Sequence, residues 1–224
     1  MSSFENETRL PEQAQDAAVT QDRSREVLGR TMFLVAATVG VCAFGAWAGK
    51  DLSFGWAIGF FIVGFAALIG LQFVRKNHTL ALTLLFVVGA ALGLGIGPTV
   101  QAYAEAFGAE VVAQAAGATA LFVAAFGTWG YATRRDLAPL VRYLFWALLA
   151  LIAFGIVMIF VSIPGGYVIY SIVGLVIFAG YTMYDFQRLR RSNNPDDAVY
   201  LAASIFVDVL NIFLLILNLL GASR

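Results

Sequence analysis

Apolar residues in this chain come in long unbroken runs, not in the alternating or short-period patterns of water-soluble elements. Such runs fall at about 31–49, 54–74, 79–100, 111–132, 139–161, 166–186 and 198–220. A hydrocarbon core needs roughly 20 apolar residues of helix to cross it, and lipid offers the backbone no hydrogen-bond partner outside its own segment. Each run is therefore predicted to be a transmembrane α-helix. A β-barrel would show short alternating segments, and none occurs. The expected fold is an all-α integral membrane protein of seven transmembrane helices. Residues 1–30 read as a polar cytoplasmic N-terminal tail, 31–220 as the seven-span membrane domain and 221–224 as a short C-terminal tail. The tail is too long and too acidic for the charged start of a secretory signal, so the first span is expected to be retained.

Composition sharpens this picture. Of 224 residues, 60% are hydrophobic and 12% charged, whereas a soluble domain carries about 25% charged residues. Half that density cannot cover a globular surface, which excludes a soluble enzyme. The 14 basic and 14 acidic residues cancel, so no global field draws nucleic acid. A single cysteine, Cys42, rules out an internal disulfide. Eleven of the 14 basic residues fall in the N-terminal tail and in connections 2–3, 4–5 and 6–7, and Arg142 lies just beyond connection 4–5, leaving Lys50 and Arg224 on the other side. The positive-inside rule then makes the N-terminus cytoplasmic, and seven crossings put the C-terminus outside. Gly89, Gly93 and Gly97 on the third span, Gly45 and Gly49 on the first and Gly55 and Gly59 on the second are expected to let helix backbones approach within the bundle, a dimer face being the alternative. Pro98, Pro139 and Pro164 are expected at span ends.

The polar residues inside the runs carry the functional signal, because an ionisable group at mid-membrane costs at least ~2.5–3.5 kcal/mol. The last span is expected to start at Asn194-Pro195-Asp196-Asp197, with Asn as cap and Pro in the first turn. On it, Ser204, Asp208, Asn211 and Asn218 fall within an arc of roughly 80° at helical periodicity. Such a stripe belongs against other helices. The sixth span ends in Tyr181-Thr182-Met183-Tyr184-Asp185-Phe186-Gln187, and Tyr181 lies one turn before Asp185. Read alone, Asp185 is an interfacial residue facing Arg188, and the stripe without Asp208 would be structural glue. Two carboxylates meeting in a low dielectric cannot both ionise, so the pair should hold one proton between them. It then serves either as a pH-responsive latch and cation site or as an activator of water, as in aspartic proteases.

Tyr184-Asp185-Phe186-Gln187, the acidic Asp196-Asp197-Ala198 and the segment Phe206-Val207-Asp208-Val209-Leu210-Asn211-Ile212-Phe213-Leu214 together resemble the signature of the transmembrane Bax inhibitor motif family. Thr133-Arg134-Arg135-Asp136-Leu137 is similar to that family's basic connection between spans four and five. The resemblance implies a seven-helix bundle with the last helix central, conducting Ca²⁺ as a pH-sensitive leak in a bacterial plasma membrane. It implies that Asp185 and Asp208 are the proton sensor and metal-binding carboxylates, with Ser204, Asn211, Asn218 and Tyr181 lining the path. Relatives are linked to cell-death suppression and, in bacteria, to restraint of a membrane-bound AAA protease. The family's charged residues on the second span have no counterpart in residues 54–74, which leaves Arg75 as the candidate latch. Calcium and membrane lipid are the expected partners, with no other cofactor and no nucleic acid.

Rival readings are weaker on the residues. An intramembrane aspartyl protease places Gly-x-Gly before its second Asp, where this chain has Ile205-Phe206-Val207. A retinal photoreceptor needs a lysine in the last span, and the lysines are Lys50 and Lys76. The sole histidine, His78, reads as a solvated residue in connection 2–3, away from any serine-protease constellation. No enzymatic activity is expected. A non-transporting membrane regulator is the remaining alternative, using the glycine faces and the connection 188–197.

Overall fold

The computed structural model describes the backbone of residues 2–74 and 77–223, with side chains from residue 23 onward. Seven α-helices follow one another: α1 (Ser2–Ala48), α2 (Phe54–Leu71), α3 (His78–Phe107), α4 (Ala109–Ala132), α5 (Ala138–Phe160), α6 (Gly166–Arg191) and α7 (Ala198–Ala222). All seven contain a stretch long and apolar enough to cross a membrane, and the described residues include no strand.

Three boundaries differ from the sequence reading, each for a physical reason. The polar tail and the first span are not separated by a break at residue 30: α1 is one continuous helix from Ser2 to Ala48. Val27, Thr31, Leu34, Thr38 and Cys42 recur at helical spacing and are all buried, with Arg30 at the edge of the same stripe. The stripe was hidden under a polar composition. Pro98 sits inside α3, not at its end, and the helix continues to Phe107; neighbouring helices and lipid-depth hydrogen bonding tolerate proline there. Finally, Asn194 caps a single 3-10 turn, Pro195–Asp197, through its side chain to the Asp196 N–H, and α7 proper starts at Ala198.

Helix α3 packs on α1 and α2, while α4 and α5 pack on α6. Between these two groups runs α7, which touches α1, α3, α4 and α6. Burial ranks it first: 61% of its span is enclosed by protein, against 11% for α5. The expectation of a central last helix is met.

The glycine faces of α1 and α3 meet each other. A Cβ on Gly97 would come within 2.7 Å of the Ala46 carbonyl oxygen, and one on Gly45 within 2.9 Å of that of Ala90. Gly93 lies directly against the Cys42 backbone. The backbones are therefore closer than any side chain allows, and packing rests on dispersion between them. By contrast, Gly55 has nothing within reach of an added Cβ. Overpacking costs typically ~1–3 kcal/mol, so Gly93→Val is expected to lower the thermal unfolding midpoint of the detergent-solubilised protein clearly. Gly55→Ala should leave it within the spread of an ordinary surface change, ~0.5 kcal/mol. Equal midpoints for the two variants would contradict this packing.

Candidate functional site

The site lies between α6 and α7, near the end of the bundle where the two are joined. Helix α6 runs out in Arg188, Arg190 and Arg191, whose charges suit the negative end of the helix dipole. Asp185 sits just inside that basic turn and is 2% exposed. On α7 the small and polar side of the helix faces it. Ser204 Oγ donates a short hydrogen bond to Asp185 Oδ2, and Arg188 Nη1 bridges Asp185 Oδ1 at 3.3 Å. Both carboxylate oxygens are thus engaged. The Arg188 side chain is 44% exposed and Asp185's 3%, so the bridge spans the boundary between solvent and the interior. The guanidinium also lies 5.6 Å from the centroid of the Tyr184 ring, a cation–π contact that fixes its direction.

Asp208 is one helical turn, ~6 Å, beyond Ser204. It is 5% exposed, and its Oδ2 is buried with no hydrogen-bond partner among the described residues. Asp185 is close enough to act on it electrostatically, and Tyr181 lies within electrostatic reach of both. The two carboxylates are therefore staggered, with Ser204 opposite Asp185 and Asp208 one turn deeper. Asn211 continues the stripe, its Nδ2 donating to the Val207 carbonyl at 2.8 Å. Asn218 is half-buried two turns further on. No third His, Cys, Asp or Glu joins the pair among the described residues.

Outside the bridge a polar cleft of about 470 Å³ opens at the α6–α7 connection. Arg188 forms its inner wall, and Asp196, Asp197, Asn194 and Tyr200 also line it. Arg188 is thus shared between the cleft and Asp185, which does not itself line it.

Residues 24–224 match the family described as "Inhibitor of apoptosis-promoting Bax1". The chain belongs to the Bax inhibitor-1 family. An uncharacterised protein of Helicobacter pylori is 29% identical over 164 residues, covering 72% of this chain and 70% of that one. The Escherichia coli inner membrane protein YbhL is 27% identical over 178 residues, 75% of each chain. The Golgi anti-apoptotic protein of vaccinia virus is 31% identical over 162 residues, 70% of this chain and 66% of the viral one. Within this family, the chain is a multi-pass integral membrane protein.

Among the residues singled out from sequence, Asp185, Asp208, Ser204 and Tyr181 come together. Asn211 extends their line, and Asn218 stands apart near the far end of α7. Arg75 lies outside the described residues. His78 is half-buried and accepts a short hydrogen bond from Arg30, so it ties α3 to α1 and is not simply solvated. Sequence reasoning missed Gln187, which is 1% exposed. Its Nε2 donates to the Arg135 carbonyl at 2.6 Å and its Oε1 accepts from the Leu137 N–H at 2.9 Å. Arg190 donates to the Tyr131 carbonyl and Arg191 pairs with Asp136 at 2.8 Å. The α4–α5 connection is therefore clamped onto the helix end that carries Asp185. The available signal was a glutamine two residues from an aspartate, inside a span otherwise free of amides.

The Arg191 hydrogen bond, helped by the Ala138 N–H, holds the Asp136 carboxyl below its ordinary value. The sign follows: a depressed carboxyl contributes fully above the unfolded value of about 3.9 and loses its contribution as pH falls through the lower folded value. Asp136 thus supplies no response near neutrality. Gln187→Leu keeps the volume but orphans a carbonyl and an N–H, a loss of ~1–3 kcal/mol. Hydrogen exchange is expected to show the Leu137 amide losing protection in this variant. Unchanged protection would mean that the clamp lies elsewhere.

Proposed function

We propose that this chain is a pH-sensitive calcium leak of a bacterial plasma membrane, gated at the Asp185–Asp208 pair, with the Arg188 end of the bundle in the cytoplasm. The observation that carries the reading is a buried carboxylate oxygen on Asp208 without a hydrogen bond. Next to it, Asp185 is closed off by Arg188 at the foot of a polar cleft. A charged carboxylate in this setting is costly unless paired, and a proton or a cation relieves that cost. Calcium takes six to eight oxygens at ~2.3–2.6 Å. Asp185, Asp208 and the Asn211 Oδ1 supply only part of that shell, so water completes it. A weak, hydrated site suits passage, because an ion held tightly would not leave.

Gating follows from the way Asp185 is used. Both its oxygens are taken, one by Ser204 and one by Arg188, so a cation reaches it only after the guanidinium swings away. At rest the pair holds one proton on Asp208 and leaves Asp185 charged against Arg188; a second proton, taken up as pH falls, neutralises Asp185 and frees Arg188, and an entering cation displaces a proton to gain its carboxylate. Leak therefore rises as pH falls. Among the described residues, the charged and titratable groups acting on the pair are Arg188 and Tyr181, both on α6. On this reading Arg188 acts as a latch on Asp185; Arg75, the sequence candidate for that role, lies outside the described residues.

A second reading has support in the relatives' names, one of which is anti-apoptotic: a regulator that binds other membrane proteins, such as a membrane-bound AAA protease, and transports nothing. The clamped α4–α5 connection offers that reading a stable surface.

Calcium flux into proteoliposomes, followed across about pH 6 to 8, separates the two. The expected outcome is flux that rises toward acid, a flat profile for Asp208→Asn, and a raised flux at the alkaline end for Arg188→Gln. The bridge is partly exposed, so its loss is worth about 1 kcal/mol, roughly fivefold in the open population. His78→Gln in the same background keeps the histidine out of the readout. Flux equal to that of empty vesicles at every pH would abandon the leak in favour of the regulator.

A further inference from the structure

Helices α1 and α4 both pack on α7 but scarcely on each other. The slot left between them is a lateral crevice of about 580 Å³. Phe206, Leu210 and Phe213 of α7 form its floor, and Ala43 of α1 and Ala116 of α4 stand on its walls. Thr119 also lines it, but its hydroxyl is spent on the Ala115 carbonyl at 2.7 Å, so the middle of the crevice is hydrocarbon. Polarity is confined to one end, where Lys50 and Gln101 sit. Gln101 is turned toward Glu105, to which its amide donates at 2.8 Å. Lys50 is the one charged residue of the lining; neighbouring Asp51 and Glu105 do not belong to it.

We infer that this crevice is a binding site for a single anionic phospholipid, with one acyl chain in the slot and its phosphate at Lys50. The length fits: along α1 the lining runs from Val35 to Lys50, ~22 Å of helix. Polarity fits as well. Lys50 lies just past the end of α1 beside Trp47, a residue type at home at the level of lipid headgroups. In a bilayer an apolar slot without an occupant would forfeit the dispersion contacts of its walls. The site does not depend on whether the aspartates conduct, since neither lines it.

Trp47 provides the reporter, because it lines the crevice. In a variant with Trp56, Trp129 and Trp146 replaced by Phe, quenching of Trp47 is measured in phosphatidylcholine vesicles containing increasing phosphatidylglycerol brominated near the glycerol end. A second variant, keeping Trp146 alone on the lipid-facing surface of α5, reports the ordinary annulus. Trp47 is expected to reach half-quenching at a phosphatidylglycerol fraction about fivefold below that of Trp146, the scale of one lysine against an anionic headgroup. Lys50→Gln and the crevice-filling Ala116→Phe should each abolish the preference, and Lys50→Arg should retain it. Identical curves for Trp47 and Trp146, or a preference that survives Lys50→Gln, overturn the proposal. So does shielding of Trp47 from brominated lipids of both kinds, which would mean that protein fills the slot.

Discussion

A carboxylate on an otherwise apolar helix persists at membrane depth only where other helices screen it from lipid, and that constraint organises this bundle. Asp208 is the residue concerned. Its stripe with Ser204 and Asn211 turns away from the bilayer, which requires α7 to be surrounded. Four helices do this: α1, α3, α4 and α6. The remaining two, α2 and α5, are held by α3 and α6 and keep lipid-facing surfaces such as Ile62, Phe65, Trp146 and Ile152 exposed. Peripheral helices can be apolar all round because nothing they carry needs hiding.

Close backbone contact makes the enclosure possible. On one side, the glycines of α1 and α3 let those helices touch without intervening side chains. On the other, Gly130 of α4 lies against the Met183 backbone of α6, and Gly127 takes the Phe186 ring, which a Cβ would meet at 2.9 Å. Two three-helix groups thus close around α7 from opposite sides. The α4–α6 contact has a further effect, because it presses α4 on the turn that bears Asp185. Gln187, Arg190 and Arg191 then bind the following connection to the same turn. The acid on α6 is consequently held from behind while its oxygens face α7 and Arg188.

The seven spans were legible because hydrocarbon thickness imposes a minimum run length, and nothing else in the chain imitates it. The inward stripe of α7 was legible because one helical period sorts four polar residues onto one side. Other features depend on distances that no local pattern encodes. Whether Asp185 meets solvent or protein turns on the approach of α7, and Ser204 decides it by donating to Asp185. The reading of Asp185 as a neighbour of Arg188 and its reading as a buried acid proved compatible, since the bridge crosses the boundary. The role of Gln187 was not legible because its partners, Arg135 and Leu137, are about fifty positions away. The start of the buried stripe of α1 was masked by Arg23, Arg25 and Arg30, which make the same turns polar in composition.

The two sides of the acid pair are unlike each other, and this bears on the state of the molecule. Toward the α6–α7 connection lies the polar cleft, whose lining includes Arg188, the partner of Asp185. In the opposite direction α7 buries Ile212, Leu215, Ile216 and Leu217 against Phe178 and Val111, with no polar group beyond Asn211 until the half-buried Asn218. An ion at Asp208 would face that apolar packing with its hydration shell incomplete. A hydrophobic constriction of this kind blocks passage by excluding water, without a charged gate. On the proposed reading, Arg188 alone is therefore not the whole barrier: releasing it admits a cation to the pair, and conduction further requires α7 to part from α4 and α6 along Ile212 and Leu215. On that reading the bridge and the apolar packing stand in series along a single helix, and the arrangement is a closed one.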